Sequence, residues 1–217
     1  MQKTIILDLD GTLIDSADGI VEAFNYAMTQ NGLPSQPAKE IKKYIGYPLE
    51  HMFGQYTSTN LNSLKNDFRK KAVQTVVQAT IPLEGAHETV VSLFESGYKL
   101  GIATSKIRIH IEGILDKLGW NNYFSEVIGG DEVAKVKPDP EQFSSLMALM
   151  KADSGYTVIV GDTINDIMPA KELSVRSVAV KSPYGNSKKV MNLNPDYLIE
   201  DISHLPGAIS KLFENES

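Results

Sequence analysis

Thr4-Ile5-Ile6-Leu7-Asp8-Leu9-Asp10-Gly11-Thr12 is the stretch that decides the fold. Its unbroken apolar start reads as a strand buried on both faces, the kind found in parallel sheets. Gly11 then lets the backbone turn sharply. Side chains at i and i+2 of a strand share a face, so a strand running through Leu9 brings Asp8 and Asp10 together at its end. Two carboxylates this close repel unless a shared proton or a bound cation offsets the charge.

Further runs repeat the apolar pattern at Lys99–Thr104, Thr157–Val160 and Ser177–Val180, with weaker ones at Glu126–Ile128 and Tyr197–Ile199. Helical patterns alternate with them at Ala86–Ser96, Ile107–Leu118, Glu141–Lys151 and Asp166–Leu173. Alternation of this kind predicts an α/β fold, a Rossmann-like parallel sheet with helices on both faces. Ligands of such sheets bind beyond the carboxyl ends of the strands.

Residues 16 to about 80 break the rhythm. Ser16 or Asp15 can cap a helix that places Ile20, Phe24, Ala27 and Met28 on one face and ends at Asn31-Gly32. Pro37 opens a second helix, Pro48 a third, and Leu61–Ala79 reads as a long fourth. The expected division is an α/β core of residues 1–15 and 82–217, with an α-helical bundle of residues 16–81 inserted after the first strand. Hinges are expected near Asp15–Asp18 and Ile81–Gly85. Beside the paired carboxylates, such an insertion is placed to act as a lid.

The chain has 217 residues, 42% of them hydrophobic, and a formal net charge of −6. That is ample for a core, and the acidic balance argues against nucleic acid or an anionic membrane as partner. No cysteine is present, which excludes disulfides, thiol catalysis and cysteine-ligated metal. The first apolar run stops at Asp8, too short for a signal peptide or a spanning helix. A cytoplasmic protein, monomer or homodimer, is the expectation.

Three later stretches carry polar groups at strand ends. Thr104-Ser105-Lys106 offers hydroxyls and backbone amides of the sort that cradle an anion. In Lys135-Val136-Lys137-Pro138-Asp139-Pro140, the prolines frame Lys137 so that its ammonium can enter a pocket. In Gly161-Asp162-Thr163-Ile164-Asn165-Asp166, two carboxylates at a strand end and the next helix start suit a hard divalent cation, although Asn165 or Asp166 also suits a helix N-cap. Clustered carboxylates, a lysine and a hydroxyl together fit phosphoryl transfer, which needs positioning and charge stabilisation. Lys42, Lys43, Lys106, Arg108 and His110 read as solvated surface residues, with neutralisation of a second anionic group as the alternative. His51 and His204 read as structural or surface residues.

Taken in order, these stretches resemble the four motifs of the haloacid dehalogenase-like superfamily of phosphohydrolases, from Asp8 to about residue 183. The branch they look like contains phosphoglycolate phosphatases and related pyrophosphate hydrolases. The resemblance implies that Asp8 is a nucleophile forming an aspartyl-phosphate and that Asp10 is the general acid/base. It implies Mg²⁺ held by Asp8, the Asp10 carbonyl and Asp162, with Asp166 in support directly or through water. Thr104, Ser105 and Lys137 would bind the phosphoryl group, and the Ile45-Gly46-Tyr47-Pro48-Leu49 turn, through Gly46, would touch the leaving group of a small phosphorylated metabolite. The expected reaction is hydrolysis of a small phosphomonoester such as phosphoglycolate. Pyrophosphate hydrolysis and a sugar-phosphate phosphatase or mutase are the alternatives; a receiver-type signalling module is much shorter and has no such insertion.

Overall fold

Ile5, Ile6 and Leu7 are wholly buried, and they divide between two cores. Ile5 and Leu7 pack with Val90, Leu93, Ile111, Ile114 and Ile209. Ile6 packs on the opposite face with Phe143, Leu146, Met150 and Ala170. This two-sided burial is why the strand reads as continuous apolar sequence rather than alternating.

The computed structural model describes residues 2–182, 184 and 187–214; residues 1, 183, 185, 186 and 215–217 of the expected core lie outside them. The chain runs β1 (Thr4–Leu7), β2 (Ile14–Asp15), α1 (Ala17–Gln30), α2 (Ala38–Lys42), α3 (Leu49–Gly54), α4 (Leu61–Ala79) and β3 (Ile81–Pro82). It continues α5 (Ala86–Glu95), β4 (Lys99–Ala103), α6 (Arg108–Leu118), β5 (Phe124–Ile128) and α7 (Glu141–Met150). Then come β6 (Thr157–Gly161), α8 (Ile164–Glu172), β7 (Arg176–Val180), α9 (Ser187–Met191), β8 (Tyr197–Ile199) and α10 (Leu205–Glu214). Six strands pair in parallel in the order β5-β4-β1-β6-β7-β8, so both weaker runs are strands and the fold is α/β as expected.

Four helices lie between β2 and β3. α1 and α4 pack so closely that a Cβ on Gly19 would stand 2.6 Å from the Thr75 carbonyl oxygen. The Thr75 hydroxyl donates to the Gly19 carbonyl at 3.0 Å. Phe24 stacks on Phe53 at 4.4 Å, and Phe68 meets Phe53 edge-on. The segments expected as hinges pair with each other: Ile14 lies opposite Pro82 and Asp15 opposite Ile81 in an antiparallel ribbon.

One boundary differs in a way that bears on the site. β1 ends at Leu7, not Leu9. The Leu9 carbonyl accepts from the backbone N–H of Thr12, Leu13 and Ile14, so the chain coils just beyond Asp8. The two-residue strand period therefore does not reach Asp10.

Candidate active site

Strand register assembles the site. Leu7 lies opposite Ile102 on one side and Val160 on the other, and the Asp8 N–H donates to the Val160 carbonyl. The residues after these positions, Asp8, Ala103-Thr104 and Gly161-Asp162, thus emerge along one carboxyl edge.

Lys137 joins the motifs. Its ammonium donates to Asp8 Oδ1 at 2.9 Å, to Asp166 Oδ1 at 2.6 Å and to the Ala103 carbonyl at 3.1 Å. The side chain is buried, as are both carboxylates. Burial works against its charge, but Asp166 and Asp8 outweigh that and hold its pKa above the ordinary lysine value. Burial pushes the Asp8 carboxyl up to about 6, with Lys137 opposing and Asp166 reinforcing the rise.

Asp166 is fully engaged. Its Oδ2 accepts from the Thr163 backbone N–H at 3.1 Å and the Thr163 hydroxyl at 2.8 Å. The N-cap of α8 is thus Thr163, not Asn165 or Asp166, and Asp166 returns the bond from the third helical position. Asp162 differs. Its Oδ1 lies 3.5 Å from the Thr12 hydroxyl, while its buried Oδ2 accepts no hydrogen bond. Burial, then the charges of Asp166 and Asp8, push its pKa well above the carboxylate range. The chain passes close here: a Cβ on Gly11, whose φ is +77°, would stand 2.4 Å from Asp162 Oδ2. A Cβ on Gly161 would stand 2.3 Å from that of Asp166.

Carboxylate oxygens of Asp8, Asp162 and Asp166 lie within 4.8 Å of one another. Three buried carboxylates face one buried ammonium, leaving two negative charges without a counter-charge. An orphaned Asp162 oxygen beside that excess fits a hard divalent cation with oxygen ligands.

Asp10 has partners of its own. Its carboxylate lies outside that group, accepting from the Ser16 hydroxyl at 2.5 Å and from Lys106 Nζ at 2.9 Å. Beyond the end of β1 the two side chains take separate partners, while the Asp10 charge still contributes to the raised pKa of Asp8. Lys106 and His110, read from sequence as surface residues, are both buried. Burial, reinforced by the Lys106 charge, lowers the His110 pKa to about 4, which keeps its ring neutral at neutral pH. Lys42, Lys43 and Arg108 do pair at the surface, with Asp18, Glu40 and Glu132. His51 stacks on Tyr47, and His204 meets Asp201 at an exposed turn.

Thr104 is buried, and its carbonyl is held by Gln142 Nε2 at 2.7 Å. Ser105 turns to the helical insertion, its hydroxyl donating to the Gly46 carbonyl at 3.2 Å; Asn165 Nδ2 reaches the same carbonyl at 3.4 Å. Asp10, Lys106 and Gly46 border a cavity of about 70 Å³, walled chiefly by Ile20, Met52 and Phe68. Sequence reading missed Ser16, Thr163 and Asn165 as site residues, and gave Lys106 a place only in the anion cradle or as an alternative to the surface. Only Thr163 carried a local signal, the Thr-x-x-Asp spacing of a reciprocal helix cap.

The family model described as haloacid dehalogenase-like hydrolase matches residues 5–180. The chain belongs to that family. It is 30% identical to pyrophosphatase PpaX of Halalkalibacterium halodurans over 203 residues, 94% of each chain. It is 28% identical to a phosphoglycolate phosphatase of Vibrio parahaemolyticus over 214 residues, again 94% of each. The crystal structure of a haloacid dehalogenase-like protein from Bacteroides fragilis is similar at TM-score 0.88 and 27% identity, covering 94% of this chain and all of that one. Among the described residues of this haloacid dehalogenase-like hydrolase, no helix is long and apolar enough to cross a membrane.

Proposed function

We propose that this hydrolase is a Mg²⁺-dependent phosphatase that cleaves a small phosphomonoester of the phosphoglycolate type through an aspartyl-phosphate on Asp8. One observation carries the reading: Lys137 bridges Asp8 and Asp166 beside an Asp162 oxygen that is buried with no partner. The phosphatase relatives support it.

Asp8, through the oxygen that Lys137 does not take, and Asp162 would hold Mg²⁺, joined by the Asp10 carbonyl. Both oxygens of Asp166 are already engaged, which suits support from behind rather than direct ligation. When bound, Mg²⁺ supplies positive charge that offsets the repulsion between a carboxylate nucleophile and a phosphoryl dianion.

Asp8 attacks phosphorus and the bond to the leaving oxygen breaks, while Lys137 balances charge on the transferring group. Thr104 and the amides after β4 bind the phosphoryl oxygens. Asp10 gives its proton to the departing alkoxide. In the second half it takes a proton from the water that attacks phosphorus, and the P–O bond to Asp8 breaks to release phosphate.

The small cavity beside Asp10, lined chiefly by apolar side chains with Lys106 and Arg69 among its lining, suits a short carbon-bearing leaving group with an anionic end. Residues 16–81 act in this reading as a cap domain on a core of 1–15 and 82–217, with Gly46 brought over the site. A phosphate-release screen over phosphoglycolate, pyrophosphate, nucleoside monophosphates and hexose phosphates, with and without Mg²⁺, tests it. Metal-dependent release from small organic monoesters is expected. Full activity in EDTA, or release from pyrophosphate alone, would overturn it.

A further inference from the structure

We propose that Lys106 and Ser16 are positioning residues for Asp10, fixing the orientation from which its carboxylate meets the leaving oxygen. The inference rests on the reading of Asp10 as the general acid/base. Three side chains close a triangle: Ser16 Oγ to Asp10 Oδ1 at 2.5 Å, Lys106 Nζ to Asp10 Oδ2 at 2.9 Å, and Lys106 Nζ to Ser16 Oγ at 3.0 Å. All three residues are buried, and each Asp10 oxygen has its own donor. A lone aspartate turns easily about its last torsion, whose preferences are broad. Two donors from two directions remove that freedom.

Neither partner has a sufficient structural reason to be where it is. Ser16 occupies the N-cap position of α1 yet makes no capping hydrogen bond. Its hydroxyl is turned to Asp10 instead, so the stabilisation a serine cap normally provides is forgone. Lys106 is one of two buried lysines among the described residues, the other being Lys137. Its neighbours across the cavity are largely apolar, and an apolar side chain would pack there without the desolvation cost of a charge. Local rules broken without a packing gain are a mark of functional positions.

The triangle also ties three separate segments of the chain together. Asp10 comes from the loop after β1, Ser16 from the start of the first cap helix, and Lys106 from the turn that carries Thr104. The carboxylate is thus set by the phosphoryl-binding turn and by the cap's entry at once.

The test measures kcat/KM on phosphoglycolate, whose alkoxide needs a proton, and on acetyl phosphate, whose acetate leaves without one. This ratio reports events up to departure of the leaving group. Lys106→Met is expected to lower kcat/KM on phosphoglycolate by about 10²-fold, the scale of misplacing a catalytic group, and to leave acetyl phosphate nearly unchanged. Lys106→Arg should recover part of the loss, and Ser16→Ala should show the same selectivity with a smaller fall, which covers the case that Lys106→Met fails to fold. Added to Asp10→Asn, Lys106→Met should cause no further loss on phosphoglycolate. Equal falls on both substrates, or losses that multiply in the double variant, would overturn the proposal. A wild type inactive on both substrates with Mg²⁺ refutes the reading of a phosphoglycolate-type substrate. In that event a crystal structure of the Lys106→Met or Ser16→Ala variant decides the inference: a displaced Asp10 carboxylate supports it, and an unmoved one contradicts it.

Discussion

Asp8 and Asp10 leave the same loop two residues apart, yet they face different surroundings. Asp8 joins a buried acidic group with one lysine, Lys137, and a charge excess that calls for a cation. Asp10 sits with its own lysine, Lys106, against a cavity lined chiefly by apolar side chains, several of them from the helical insertion. In the proposed reaction, one side of the loop would lower the repulsion between two anions and the other would move a proton to the leaving group. The difference teaches that a pair of like carboxylates acquires separate roles from neighbours that are remote in sequence.

The largest expected effect comes from the acidic side. Asp8→Asn should abolish phosphate release and weaken Mg²⁺ binding, read by calorimetry, while circular dichroism stays native. More than trace turnover in that variant would remove Asp8 as nucleophile. Asp10→Asn should slow turnover by roughly 10²–10⁴. Its Mg²⁺ affinity should stay within a few-fold of wild type, because the carbonyl implied as a ligand remains. If both variants lost metal affinity equally, the two sides of the loop would not be separate.

A smaller effect concerns pH. The Asp8 carboxyl is raised from 3.8 to about 6 in the folded protein, so the folded state binds protons more tightly than the unfolded chain. Its contribution to stability is full below the unfolded value and is lost as pH rises through the folded one. Burial puts Asp162 in the same direction. Mg²⁺ competes with those protons, so the rise in Tm on adding Mg²⁺ should be greater at pH 7.5 than at pH 5. A rise independent of pH would place the cation away from these carboxylates. Asn165→Ala should have the slightest effect. It deletes one hydrogen bond to Gly46, worth about 1 kcal/mol, and should raise KM a few-fold with kcat nearly constant.

The sheet was legible because apolar runs, glycine turns and helical periods are local signals. Asp8 and Asp162 were legible because each follows an apolar run, Lys137 because prolines frame it and Asp166 because it opens the next helical pattern; strand register aligns the first two, and Lys137 reaches Asp8 and Asp166. The pairing of Asp10 with Lys106 and Ser16 was not, since no period or turn links residues 10, 16 and 106. Lys106 and His110 read as surface residues because burial of a polar side chain depends on what the cap covers, and helix packing across an insertion leaves no trace in local sequence. The coil beyond Asp8 was hidden for a related reason: Leu9 is apolar enough to continue the strand, but its carbonyl is taken by three downstream N–H groups.

The most direct measurement traps the phosphorylated carboxylate. The enzyme is mixed with phosphoglycolate and Mg²⁺, quenched in acid within one turnover and reduced with borohydride, which converts an acyl phosphate to an alcohol. Mass spectrometry of the N-terminal peptide should then find homoserine at position 8 and intact aspartate at position 10. Unreduced Asp8 under turnover, or reduction at another carboxylate, would contradict the assignment.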